Sequence, residues 1–328
     1  MLAGVRTIDW VDGAVEIVDQ TALPGTTRIL RLSTVDELVS AVRRLAVRGA
    51  PAIGVAGALG VALAARLHDG EELAHAVHLI ETARPTAVNL ARGARRVAAR
   101  LPEGPDAALA EALAVRDEEI ASSAAMARLG ADLVTSLCGP RPRLLTHCNT
   151  GALATVVGGT ALSVAFELHG RGALGGVVAS ETRPLLQGAR LTAWELGQAG
   201  IGYRIAVDGA GPFLMARGEV DAVIVGADRI CANGDVVNKV GTYAHALGAR
   251  AAGIPFVAVA PESTVDMDTP SGTAVEIEDR GAAEVLSYGW APEGADAVNP
   301  AFDVTPAALV TAIVTDQRVV RLDRGEKL

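Results

Sequence analysis

Two rhythms of apolar and polar positions divide the chain. Over residues 5–32 apolar residues come in short runs, with Asp12-Gly13 as a turn signal between IDW and VEIV, which predicts small antiparallel strands. Thr34-x-x-Glu37 then matches a capping box and predicts a helix through Val47. From there to about Leu137 the spacing is helical, broken at Arg48-Gly49-Ala50-Pro51, at Asp69-Gly70 and at Leu101-Pro102-Glu103-Gly104-Pro105. Alanine dominates these helices, which favours the helical state and permits close packing. The longest apolar run, GVAGALGVALAARL at 54–67, is short and Gly-rich for a membrane span and reads as a buried helix.

From Arg143 the rhythm changes. LLTH, GGVVAS, YRIAV, AVIVG and FVAVA are short apolar runs, each followed by a helix-length stretch. That alternation predicts a parallel sheet with helices on both faces. The expected fold is therefore α/β. A mostly helical N-terminal domain with a small antiparallel sheet spans 1–137, and a Rossmann-like, doubly wound parallel sheet spans 138–328. Polar residues follow each strand: Cys148, Glu181-Thr182-Arg183, Asp208, Asp228 and Glu262-Ser263-Thr264. In an open parallel sheet these project from the carboxyl edge, where ligands bind.

The stretch RLLTHCNTGALATVVGGT, 143–160, carries the most chemistry. It predicts a strand ending at Thr146 or His147, a turn through Cys148 and Asn149, and a helix opening around Gly151. Unpaired N–H groups at such a helix start favour negative charge, which suits a cysteine acting as proton carrier or nucleophile. His147, as the strand neighbour of Cys148, is expected to face the other way. Asp228 ends an apolar strand, and in an apolar crevice near Cys148 desolvation would let it act as an acid. Read alone, it is equally a helix cap. A thiol and a carboxyl together suit proton transfer better than acyl transfer.

Several groups can hold a phosphate. Arg48-Gly49-Ala50 joins a guanidinium to turn N–H groups, and Arg84 opens the RPTAVNL helix with Pro85 in its first turn. Asn238-Lys239 precedes Gly241-Thr242 at another helix start. Each arginine could also be a surface ion pair. Gln187, one turn into the helix after the second strand, can turn its carboxamide to the same crevice or simply pack.

Composition narrows the picture. The chain has 328 residues, half of them apolar, and net charge −9 with dispersed basic residues, which argues against nucleic-acid binding. Its three cysteines, Cys138, Cys148 and Cys231, have neither disulfide-framework nor metal-ligand spacing. No Gly-x-Gly-x-x-Gly follows the first strand, so no dinucleotide is expected. Neither metal nor organic cofactor is expected. The first twenty residues carry acids and lack the apolar core of a signal peptide, so a soluble, cytoplasmic protein without membrane association is expected.

RGAPAIG (48–54), RPTAVNL (84–90), THCNTGALAT (146–155), ETRPLLQGARLTAWEL (181–196), VGADRICANGDVVNKVGTYAHA (225–246) and NPAFDVTP (299–306) resemble the methylthioribose-1-phosphate isomerase family. The resemblance runs in order along nearly the whole chain. It implies a helical domain followed by a Rossmann-like one, paired as a homodimer, and a sugar phosphate substrate. Ribose-1,5-bisphosphate isomerase and regulatory subunits of an initiation-factor exchange complex share the superfamily. By motif, the catalytic cysteine falls on Cys148 and the proton-donor aspartate on Asp228. Substrate contacts fall on Arg48, Gly49, Ala50, Arg84, Gln187, Asn238 and Lys239. Three stretches depart from the family pattern. Ala91-Arg92-Gly93 stands where Trp-Ala is usual, VVGGTALS replaces GYGTALG, and Met126 to Gly130 lacks a histidine. The catalytic pair is untouched by these; the 5-substituent of the sugar is what they bear on. The Ala- and Gly-rich helical half is expected to pair two subunits about a two-fold axis.

Overall fold

The computed structural model describes residues 6–85 and 87–328. The chain forms two compact units, Met1–Ser123 with Gly151–Gly159, and Ala124–Thr150 with Thr160–Leu328.

The first unit opens with β1 (Ile8–Val11), β2 (Ala14–Val18) and β3 (Ile29–Leu32), an antiparallel sheet in that order. Asp12 (φ 44°) and Gly13 (φ 83°) form the expected hairpin turn, both left-handed as a two-residue loop requires. Helices α1 (Val35–Arg43), α2 (Ala50–Leu67), α3 (Gly70–Glu81), α4 (Val88–Ala98) and α5 (Pro105–Cys138) follow. The capping box before α1 is present: Glu37 N donates to Thr34 Oγ1 (3.3 Å) and Thr34 N donates to the Glu37 carboxylate (3.1 Å). α2 is apolar and long enough to cross a bilayer, yet 67% of it is buried inside the protein, as expected of a core helix. It meets α4 through glycines. A Cβ on Gly93 would lie 2.0 Å from Gly54 O, and one on Gly57 would lie 2.3 Å from Leu90 O. α4 begins at Val88, so Arg84 and Pro85 precede the helix and do not open it as the sequence predicts; Thr86 lies outside the described residues.

The observed division falls inside α5, between Ser123 and Ala124, and not at its end, where the boundary at 137/138 was expected. Ala108, Ala112 and Val115 belong to the first core, whereas Met126, Ala131, Leu133 and Val134 belong to the second unit. The chain also returns. Within the first unit Thr7 N donates to Val156 O (3.1 Å) and Gln20 Nε2 to Leu153 O (2.7 Å), and Val156 is fully buried.

The strands of the second unit are β4 (Arg143–His147), β5 (Gly176–Ser180), β6 (Tyr203–Ala206), β7 (Ala222–Val225), β8 (Arg229–Cys231), β9 (Val236–Lys239), β10 (Phe256–Val259), β11 (Val265–Asp266), β12 (Phe302–Thr305), β13 (Ala312–Val314) and β14 (Val319–Val320). Seven form one sheet in the order β14-β13-β10-β7-β4-β5-β6, parallel except for β14. Its helices are α6 (Ala161–Gly170), α7 (Ala193–Gln198), α8 (Ala210–Ala216), α9 (Thr242–Ala252) and α10 (Ala283–Leu286). Successive strand residues serve opposite cores, as the pleat dictates. Leu144, Ala179, Ile224 and Val257 pack with α5, α6 and α7, while Leu145, Val178, Val223 and Ala258 pack with α8 and α9. All five predicted strands are there, doubly wound. β13 and β14 extend the sheet beyond them, and a second sheet, β11-β8-β9-β12, stands outside the expectation.

Candidate active site

Cys148 follows β4, an interior strand of the large sheet between β7 and β5, at its carboxyl end. The helix predicted to open at Gly151 is not there. Ala152–Ala154 is a single 3₁₀ turn and α6 starts only at Ala161, so the thiol does not stand at the start of a helix that directly follows β4. The backbone of Cys148 is instead held left-handed, at φ 67°. Cys148 N donates to Thr182 Oγ1 (2.9 Å), and Thr192 Oγ1 donates to Cys148 O (2.7 Å). Thr192 ends a π-helical turn, Gly188–Thr192, a local widening of the helix that recurs at functional sites. The following Asn149 is buried and donates to Glu195 Oε1 (2.7 Å).

Gln187 reaches the thiol, its Nε2 donating to Cys148 Sγ at 3.4 Å. Its side chain is fully buried, and its Oε1 has no hydrogen-bond partner among the described residues. An unpaired buried carbonyl costs about 1–3 kcal/mol, so this oxygen is poised for an incoming donor. Thr182 (φ 64°) and Leu186 (φ 55°) share the left-handed conformation of Cys148. Three such residues around one sulfur mark a strained site.

His147 faces away from the sulfur, as expected. Its ring is fully buried, with Nε2 on Val240 O (2.8 Å) and Nδ1 on Ser180 Oγ (3.0 Å), and burial pushes its pKa down. Its ring meets His245 edge-on at 5.0 Å, and burial pushes His245 down to about 3. Asp208 accepts from Ser180 Oγ, from Thr182 N (2.7 Å) and from Arg183 N (2.7 Å). Although burial acts to raise its pKa, these donors hold its carboxyl below the usual range.

Asp228 lies three residues beyond β7, its N–H donating to Val237 O (2.9 Å). The residue is exposed, which corrects the expectation of a desolvated carboxyl. Asn238 and Lys239 are buried at the end of β9. Asn238 Nδ2 donates to Thr242 Oγ1 (3.0 Å); Lys239 Nζ donates to Ala301 O (2.5 Å) and lies 4.6 Å from the centre of the Phe302 ring. The α9 start just beyond, expected to hold an anion, already holds one. Asp303 accepts from Gly241 N (2.7 Å) and Tyr243 N (3.1 Å). Asp303 escaped the sequence reading because it is remote in the chain, on β12, which pairs with β9.

Two further strand-end groups, Glu262 and Arg183, are engaged within the fold. Glu262 pairs with Arg318 (2.6 Å). Arg183 stacks over Tyr288 at 4.8 Å and donates to Pro184 O (2.8 Å) and Val285 O (3.2 Å).

Arg48, Gly49, Ala50 and Arg84 belong to the first unit, both arginines half-buried. Gly49 (φ 97°) precedes Ala50, the first residue of α2. A Cβ on Gly49 would fall 2.5 Å from Ala154 Cα, so only glycine fits this turn. Among the described residues no group of three or more His, Cys, Asp or Glu side chains is arranged to hold a metal ion.

Residues 46–321 match the model of the initiation factor 2 subunit family. A probable bifunctional methylthioribose-1-phosphate isomerase/methylthioribulose-1-phosphate dehydratase of Nocardia farcinica is 54% identical over 96% of the chain, which spans only 59% of that protein's length. A methylthioribose-1-phosphate isomerase of Anaeromyxobacter sp. is also 54% identical, with 94% of the chain and 91% of the relative covered. A 5-deoxyribose 1-phosphate isomerase of Moorella thermoacetica is 48% identical over 98% of the chain and 95% of its own length. The crystal structure of a 5-methylthioribose 1-phosphate isomerase from Pyrococcus horikoshii superposes with a TM-score of 0.91 at 40% identity, covering 97% of the chain and 92% of that structure.

Proposed function

The chain belongs to the initiation factor 2 subunit family, and from this premise we infer that it is an aldose–ketose isomerase converting 5-methylthioribose 1-phosphate to 5-methylthioribulose 1-phosphate, a step of methionine salvage. The observation that carries the reading furthest is the pairing of Cys148 with Gln187. A thiol at the sheet's carboxyl edge stands beside a buried carbonyl that lacks a donor, which a sugar hydroxyl would supply.

The substrate explains the need for two proton-handling groups. A phosphate on the anomeric oxygen blocks the spontaneous ring opening of ordinary aldoses. An acid must protonate the ring oxygen as its bond to C1 breaks, and hydrogen must then pass from C2 to C1. We assign the acid step to Asp228 and proton abstraction or relay to Cys148. Asp228 is exposed, so its role as acid requires the substrate to exclude water around it. The motifs assign phosphate and hydroxyl contacts to Arg48, Gly49, Ala50, Arg84, Gln187, Asn238 and Lys239. The setting proposed is a cytoplasmic homodimer.

Arg183, engaged with Tyr288, is not counted among the phosphate-binding cations. A 5-methylthio or 5-deoxy sugar is therefore favoured over ribose 1,5-bisphosphate, whose second phosphate needs further positive charge. Between the first two the difference is a methylthio group in place of one hydrogen on C5, an apolar change worth about 10–100-fold in kcat/KM. The test is product formation followed by NMR with these three substrates. The methylthio sugar is expected to rank first, and Cys148→Ser and Asp228→Asn to lose at least about 100-fold in turnover while still binding substrate. Bisphosphate ranking first, or near-wild-type turnover by Cys148→Ser, would overturn the reading.

A further inference from the structure

Asp208 lies outside every role assigned above, yet three donors converge on its carboxylate. Ser180 Oγ comes from the end of β5, and Thr182 N and Arg183 N come from the turn that follows. Thr182 is wholly buried and left-handed, and its hydroxyl is used twice, accepting from Cys148 N (2.9 Å) and donating to Ser180 O (3.0 Å). The turn admits no slack. A Cβ on Gly188 would fall 1.8 Å from Ser180 O and 2.7 Å from Thr182 Oγ1.

A left-handed non-glycine residue persists only where its surroundings over-determine it. Thr182 and Cys148 are both such residues, and they are joined by one hydrogen bond. The groups that fix Thr182 lead to Asp208. We propose that Asp208 is a positioning residue for Cys148: it locks the 181–183 turn, and the turn, through the Thr182 hydroxyl, locks the backbone that aims the thiol. Asp208 touches neither the sulfur nor Gln187; it acts through Thr182.

The kinetic part of the test rests on the isomerase reading, so a second readout independent of it is paired with it. Asp208→Asn keeps the shape but removes the charge and one acceptor, and Thr182→Val removes the hydroxyl while keeping the β-branched shape. Each is expected to lower kcat by about 100-fold with KM within about three-fold, the cost of misplacing a reacting group by about 1 Å. The double variant is expected to fall no further than either single one, because both cut the same linkage. Asp208→Glu is expected to recover part of the loss. In parallel, the rate of iodoacetamide alkylation at Cys148, read by mass spectrometry, is expected to change at least about three-fold in both single variants.

Wild-type alkylation rates in folded Asp208→Asn and Thr182→Val, or additive losses in the double variant, would overturn the proposal. Should Asp208→Asn fail to fold, Thr182→Val carries the same comparison. If the wild-type chain turns over none of the three sugars while alkylation still shifts, the isomerase reading falls and the positioning role stands.

Discussion

Asp303 occupies the site that the sequence assigns to a phosphate, and the occupation has a thermodynamic signature. Burial raises its pKa to about 6 from 3.8, against the Gly241 and Tyr243 amides and Lys239, which pull it down. A carboxyl whose folded pKa lies above its unfolded value binds more protons folded than unfolded between the two. Stability is therefore greatest below the unfolded pKa and is lost as pH rises through the folded one. Asp303→Asn keeps an acceptor for the amides and loses the charge. Its melting temperature relative to wild type is expected to rise by roughly 2–6 °C between about pH 4 and pH 7.5. A pH-independent difference in thermal melts would show that the carboxyl titrates normally. At this scale the sequence is half legible. Cys148 and Gln187 announce themselves by position after a strand, but the left-handed backbone at Cys148 depends on Thr182 and Thr192, which local pattern cannot bring to it.

Between elements, the contact of α2 with α4 is made by the absence of side chains. Gly54, Gly57 and Gly93 let the two backbones approach to distances at which no Cβ fits. Gly93 lies in one of the stretches that depart from the family pattern, and it stands at this crossing. Gly93→Ala is expected to destabilise the protein by about 1–3 kcal/mol through overpacking, although alanine is the better helix former. Denaturant titration checks it, and an unchanged or raised midpoint would mean that the helices separate at little cost. The long elements were legible, since α2 is a continuous apolar run, α5 is an Ala-rich stretch bounded by clear breaks, and the apolar runs of β4, β5, β7 and β10 are unmistakable. β8, β9, β11 and β12 were not legible, because RIC, VVNK, VD and FDVT mix charged and polar residues into short runs where β7 and β10 are unbroken apolar stretches. Asn238 and Lys239 read as a loop before a helix for that reason.

For the whole molecule, two copies are expected to associate about a two-fold axis, and light scattering at micromolar concentration should return twice the chain's mass. A monomer mass would refute the homodimer. The division into two units was legible as a change of rhythm near residue 143, but its placement was not, because a continuous helix and a returning segment carry no compositional break. That return has a consequence for how the protein is made. The first unit includes Gly151–Gly159, whose Val156 fills its core and whose carbonyls receive Thr7 and Gln20. An N-terminal domain ordinarily folds as it leaves the ribosome, but this one lacks a piece of its own interior when Ser123 has been added. Synthesis must run on for about 2–7 s before Gly159 exists. Through that interval the Ala-rich helices stand incomplete, and the segment that completes them arrives on the same stretch of chain as the thiol.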